Sequence, residues 1–213
     1  MTEDRLSRLG PLCAVLFFVL TMGGFAIGAA GGGASVTLGD STAKVLKAYA
    51  DPMGSGVWVG AYLTVISLAA FAVFVAWLFR SRRGPLSTAG MLAAATYVAM
   101  VLAASAVNFV LDYRAGHGMG SQTTLALFYL QEALFMLTWA ASAAFLALAP
   151  VSGWLRYSAR VLAGLCVVAL AVPKAGWAQF PPTLFYVWML VAGIALARRR
   201  GIATSPVPQG GLA

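Results

Sequence analysis

The sequence predicts an all-α, polytopic membrane protein: a bundle of six transmembrane helices with a short outer amphipathic helix between spans one and two. Three observations lead there. Of 213 residues, 61% are hydrophobic and only 9% are charged, against about 25% charged in an ordinary soluble domain. The apolar residues gather into runs long enough to cross a hydrocarbon core of about 30 Å, which takes roughly 20 helical residues. These runs lack the alternation of barrel strands, and a backbone in lipid must satisfy its own hydrogen bonds, so helices are required.

The first span runs from Leu12 to about Gly31, the second from Val57 to Phe79, and the third from Leu86 to about Leu111. The fourth runs from Leu125 to Ala149, the fifth from Leu155 to Val172, and the sixth from Thr183 to Ala197 behind Pro181 and Pro182. Residues 1–200 therefore read as a single transmembrane domain, and residues 201–213, rich in Pro and Gly, as a disordered cytoplasmic tail.

Fourteen Lys+Arg against six Asp+Glu give a net charge of +8, but a chain this apolar is no soluble nucleic-acid binder, and no nucleic-acid partner is expected. Intrinsic disorder, a disulfide scaffold and a secreted soluble enzyme are excluded on composition. The cations are unevenly placed. Arg5, Arg8, Arg80, Arg82, Arg83, Arg156, Arg160 and Arg198 to Arg200 fall at one end of the spans, leaving Lys44, Lys47, Arg114 and Lys174 for the other. Cytoplasmic loops retain Lys and Arg, so both termini are expected in the cytoplasm of a bacterial plasma (inner) membrane, with anionic lipid headgroups meeting the Arg clusters.

An alternative makes the first apolar run a cleaved signal peptide, since Arg5 and Arg8 precede it and small residues from Gly28 to Ser35 follow. Glu3 and Asp4 spoil a basic leader, and the run is long for an h-region. Gly24, Gly28 and Gly32 also recur every four residues, lining one helix face on which a neighbouring helix, or a protein partner or second copy of the chain, can approach closely.

Chemistry-bearing motifs are sparse. Cys13 and Cys166 both fall inside apolar runs and read as small apolar side chains. The single histidine, His117, lies in the glycine-rich loop Gly116 to Gly120, which argues against an intramembrane zinc hydrolase. No phosphate-binding Gly-x-x-x-x-Gly-Lys loop, Gly-x-Ser-x-Gly elbow or His-Glu-x-x-His occurs, and no cofactor or metal is expected. In the longest polar connection, Asp40 and Ser41 can cap a short helix with Val45, Leu46 and Tyr49 on one face and Lys44, Lys47 and Asp51 elsewhere, ended by Pro52. It is expected to lie on the outer membrane surface, as a lid or a packed connector.

Several stretches together resemble a family of uncharacterised bacterial six-span membrane proteins. They are the outer segment Asp40-Ser-Thr-Ala-Lys-Val-Leu-Lys-Ala-Tyr-Ala-Asp51, Gly60-Ala-Tyr-Leu in span two, Leu130-Gln-Glu-Ala-Leu-Phe135 in span four, Gly153-Trp-Leu155, and Trp188-x-x-x-Ala192-Gly193 before Arg198 to Arg200. The resemblance implies the six-span architecture and no activity. The connection from Pro150 to Gly153 is shorter and less basic than that pattern.

Glu132 is the most informative polar residue, expected about eight residues, hence roughly 12 Å, below the outer end of span four. In span three Ser105, Asn108 and Asp112 share a helix face, so Ser105 and Asn108 are expected to meet Glu132, with Asp112 nearest the surface. Gln131 is expected to point a quarter turn away.

Two readings stay open for that cluster. Glu132 is a proton or cation site with Asn108 and Ser105 as neutral ligands, as in a small transporter or accessory subunit. Or it is a protonated carboxyl that merely ties two helices together. An alternative is a lipid-modifying enzyme with Glu132 or Asp112 as base and His117 as acid; another is a structural helix-docking protein. Trp58, Tyr62, Tyr113, Phe128, Tyr129, Trp177, Phe180, Phe185 and Tyr186 read as an outer aromatic belt, and Trp77, Trp154 and Tyr157 as an inner one. Met136 and Trp139 share the Glu132 face and are expected to serve helix packing.

Overall fold

The structure, a computed structural model, describes residues 3–33, 35–80, 84–173 and 178–203. Its helices are α1 (Glu3–Ala30), α2 (Thr42–Ala48), α3 (Ser55–Phe79), α4 (Pro85–Arg114), α5 (Ser121–Leu148), α6 (Trp154–Ala171) and α7 (Phe180–Ala203), with no strand among the described residues. All but α2 are long and apolar enough to span a membrane, which makes this a multi-pass membrane protein. Leu12, Val19, Ile66, Leu92, Leu137 and Val168 point outward and are exposed along the spans. In water such a surface would drive association; in lipid it is the face the solvent requires.

Local sequence sets several boundaries. Pro85 occupies the first turn of α4, where its missing N–H is an orphan anyway, and Pro181 and Pro182 do the same for α7. Gly153 turns the tight α5–α6 connection with φ +64°, a conformation that favours glycine. At the other end of the chain, α7 continues through Gly201–Ala203, so the proposed tail does not begin at Gly201. Arg82, Arg83, Lys174, Trp177 and residues 204–213 lie outside the described residues, as do the side chains of Arg5, Arg8, Arg199 and Arg200.

Small residues decide how α1 and α3 meet. The two helices run antiparallel, with Gly31 against Gly56, Gly24 against Gly60 and Gly10 against the Trp77 ring. A Cβ on Gly24 would lie 2.6 Å from the Gly60 carbonyl oxygen, and one on Gly60 would lie 2.8 Å from the Gly28 nitrogen. The face is therefore packed from within the chain at Gly24, while a Cβ on Gly28 would meet nothing within 4 Å. Gly32, expected on that face, instead follows the end of α1 with φ +83° and nothing within 4 Å, because the helix stops at Ala30.

Toward the middle of the spans, aromatic rings from five helices pack against one another: Phe17, Phe71, Tyr97, Phe145 and Phe185. Phe71 lies 5.1 Å from both Phe17 and Tyr97 and 5.5 Å from Phe145, in tilted and edge-on packings. Phe185 and Tyr186, expected in an interface belt, are buried in this plug, and Trp77 is buried against Gly10. Their helices turn those positions inward, which an aromatic count does not reveal.

The opposite end carries α2. Ser41 caps it by accepting from the Lys44 amide at 3.3 Å. α2 packs down on the bundle, as a lid or packed connector does: Val45 is fully buried and Tyr49 nearly so, against Leu111, Ala115 and Phe128. Phe128 is thus a core residue beneath α2, not a belt residue.

Asp40 ties the approach to α2, accepting from Lys44 Nζ at 2.6 Å and from the Thr37 amide at 2.7 Å. The hydrogen bond from Lys44, then that from Thr37, hold its carboxyl below the ordinary carboxylate range. A depressed folded value means the contribution is present above the unfolded value near 4 and is lost as pH falls through the folded one. Asp40→Ala is expected to speed amide exchange in α2 roughly two- to fivefold at neutral pH. Unchanged exchange would show that the pair does not hold the segment.

Candidate functional site

Ser105, Asn108 and Asp112 lie on one face of α4 because their spacing follows the helical repeat. Asn108 Nδ2 donates to Asp112 Oδ2 at 2.6 Å, a short bond of the kind a charged acceptor makes. α5 packs antiparallel beside α4, with Gly90 near Leu148, and so brings Glu132 alongside. Since α5 starts at Ser121, Glu132 sits eleven residues inside it, roughly 16 Å along the axis at 1.5 Å per residue. That is deeper than expected from a span beginning at Leu125. Ser105, nine residues from the end of α4, reaches a comparable depth of roughly 14 Å, while Asp112 stays near the mouth.

These side chains surround one cavity of about 430 Å³ at the α2 end of the bundle. Gly24, Phe25 and Gly28 of α1, Gly60 and Thr64 of α3, Phe128, Gln131, Glu132 and Phe135 of α5, and Tyr186 of α7 complete its walls. Ser35, Val36 and Tyr49 contribute from the α1–α3 connection. Its inner end meets the aromatic plug, where the Tyr97 and Tyr186 hydroxyls are 3.4 Å apart.

The electrostatics are one-sided. Asp112 and Glu132 are only 5% and 8% exposed, and among the described residues no Lys, Arg or His lines the cavity. The Glu132 carboxyl meets the backbone amide of Leu38, carried down by the α1–α3 connection. Burial, followed by the fields of Asp112 and Glu132, pushes the Tyr49 phenol well above its ordinary value, so it faces the cavity as a neutral hydroxyl. Gln131 lines the same cavity, contrary to the expectation that it faces elsewhere, because the space is wide enough to take in a quarter turn of α5. Its Oε1 is shut off from solvent with no hydrogen-bond partner.

Other expected participants lie elsewhere. His117 is exposed, stacks on Tyr113 and places Nδ1 2.9 Å from the Ala115 carbonyl oxygen, so it is not brought to Glu132 or Asp112 as an acid–base partner. Trp139 and Met136 pack with Ala169 and Ala178. Cys13 and Cys166 are both free. Among the described residues no group of three or more His, Cys, Asp or Glu is placed to hold a metal ion. Trp58, Tyr62 and Tyr113 form a shelf around Phe109 on α3 and α4, with Trp58 stacked on it at 5.8 Å.

Sequence reasoning missed Leu38, Tyr49 and Thr64 as parts of the site. Tyr49 carried a signal, its place on the apolar face of α2, but nothing in that face says what it covers. Comparison with family models, curated proteins and solved structures finds no match for the chain.

Proposed function

We propose that this protein is a small membrane carrier with a proton or cation site at Glu132. The observation that supports it is a cavity holding two buried carboxyls and no basic residue among the described residues, open at the α2 end of the bundle and bounded below by aromatic rings part-way along the spans. Carboxyls removed from water without a counter-charge take up a proton or a cation, and intramembrane acids mark such pathways. Neutral oxygens from Ser105 and Asn108 are available to share the ion. In this reading the arginine-bearing end faces the cytoplasm of a bacterial plasma membrane, with Arg80 and Arg198 at anionic headgroups, and the cavity opens outward.

The test is proton movement in vesicles reconstituted with the purified chain and an entrapped pH-sensitive dye, under an imposed Na⁺ or K⁺ gradient. Flux above that of protein-free vesicles, lost in Glu132→Gln, is the expected result. Equal flux in both proteins and in empty vesicles would remove the proposal.

One observation favours a second reading. The Leu38 amide on the Glu132 carboxyl fits a residue that anchors the α1–α3 connection. A purely structural Glu132 predicts a lowered melting temperature in Glu132→Gln and no effect on flux per folded molecule.

A further inference from the structure

The walls of the cavity constrain what kind of cation would enter it. A bare metal ion needs about six oxygens converging within roughly 2.6 Å. Here one Asp112 oxygen already accepts from Asn108, and no metal-holding group of acids occurs among the described residues. The volume of about 430 Å³ falls instead in the range of small-molecule sites, about 300–1,000 Å³. Five aromatic residues, Phe25, Tyr49, Phe128, Phe135 and Tyr186, share the walls with the two carboxyls. Ring faces attract cations and apolar groups alike.

Each ligand class meets a different outcome there. An anion faces two carboxyls with no basic residue among the described ones to offset them. A neutral apolar molecule fits the rings but leaves a buried Glu132 carboxylate without a counter-charge, which is costly. An alkylammonium ion supplies that charge and also fits the rings. One N–H donates to the Glu132 carboxylate, and the hydrocarbon body lies against the aromatic walls.

We propose that the cavity binds a lipophilic primary or secondary amine as its ammonium ion, paired with Glu132. The proposal rests on the reading of Glu132 as an ion site and supplies its substrate class. The carboxyl holds either a proton or the ammonium ion, so each amine bound to a protonated site releases one proton. That exchange is what a proton-coupled amine carrier needs.

The test uses the full chain in detergent with phenylbutylamine as the probe and phenylbutanol and phenylbutyrate as neutral and anionic counterparts. Calorimetry is expected to show the amine binding at least about tenfold more tightly than either counterpart, with a comparable loss in Glu132→Gln. In the wild-type chain, where no substitution can disturb folding, the amine is expected to slow carbodiimide labelling of Glu132. If carbodiimide modifies Glu132 while the amine neither binds nor protects, the amine assignment falls and the ion site stands. If Glu132 resists labelling altogether, both fall. Equal binding of all three probes would show an apolar pocket indifferent to charge and would also overturn the assignment.

Discussion

Gly60→Leu is expected to force α1 away from α3 and lower the melting temperature of the bundle. A side chain there starts 2.8 Å from the Gly28 nitrogen and abuts the Gly24 carbonyl oxygen, and both are backbone atoms of a neighbouring span. Neither can rotate away, so α1 and α3 must separate along their most extensive contact. Overpacking of this kind costs about 1–3 kcal/mol or more. For a chain near 200 residues, 3 kcal/mol lowers Tm by roughly 6–12 °C. Gly23→Ala is the control, since nothing lies within 4 Å of its added carbon. Thermal unfolding of the two variants in one detergent checks the contrast, and equal melting temperatures would mean that α1 and α3 are not held by glycine contact.

Glu132→Gln is expected to abolish coupled flux while the fold survives. Glutamine keeps the shape of glutamate and retains an oxygen for the Leu38 amide, so the α1–α3 connection keeps its anchor. What it loses is the capacity to hold a negative charge, and with it the exchange of a proton for a cation. Flux is expected to fall at least tenfold, with Tm within a few degrees of wild type. Asp112→Asn is expected to act more weakly, because Asp112 lies near the mouth and already shares an oxygen with Asn108. A Glu132→Gln protein that carries as well as wild type would remove Glu132 from the mechanism.

Much of the architecture was legible because lipid simplifies the code. A span must be long, apolar and helical, so the six runs and their arginine-marked ends stand out without tertiary information. The alignment of Ser105, Asn108 and Asp112 was equally readable, because helical periodicity alone sets it. Inward and outward faces were not, since Phe185 in the plug and Phe180 exposed near the membrane boundary have the same side chain and differ only in helix rotation. For the same reason Phe128 was mistaken for a belt residue.

The site was half legible. A carboxylate in an apolar run announces itself, and a helical neighbour supplied Asn108 and Ser105. The Leu38 amide and the Tyr49 hydroxyl arrive from a connection whose path depends on α2 docking, and no local pattern encodes that path. Gln131 was misjudged because a helical wheel gives directions but says nothing about the width of the space they point into.

The central claim is that Ser105, Asn108 and Glu132 border a cavity reached from the α2 end of a membrane-spanning bundle. Cysteine labelling in sealed vesicles tests it most directly, using Ser105→Cys and Asn108→Cys in a chain whose Cys13 and Cys166 are replaced by alanine. An impermeant maleimide is expected to modify both from the face on which Lys44→Cys also reacts, and not from the face of Arg80→Cys. Labelling from the Arg80 face, or none at either position while Lys44→Cys reacts, would contradict it.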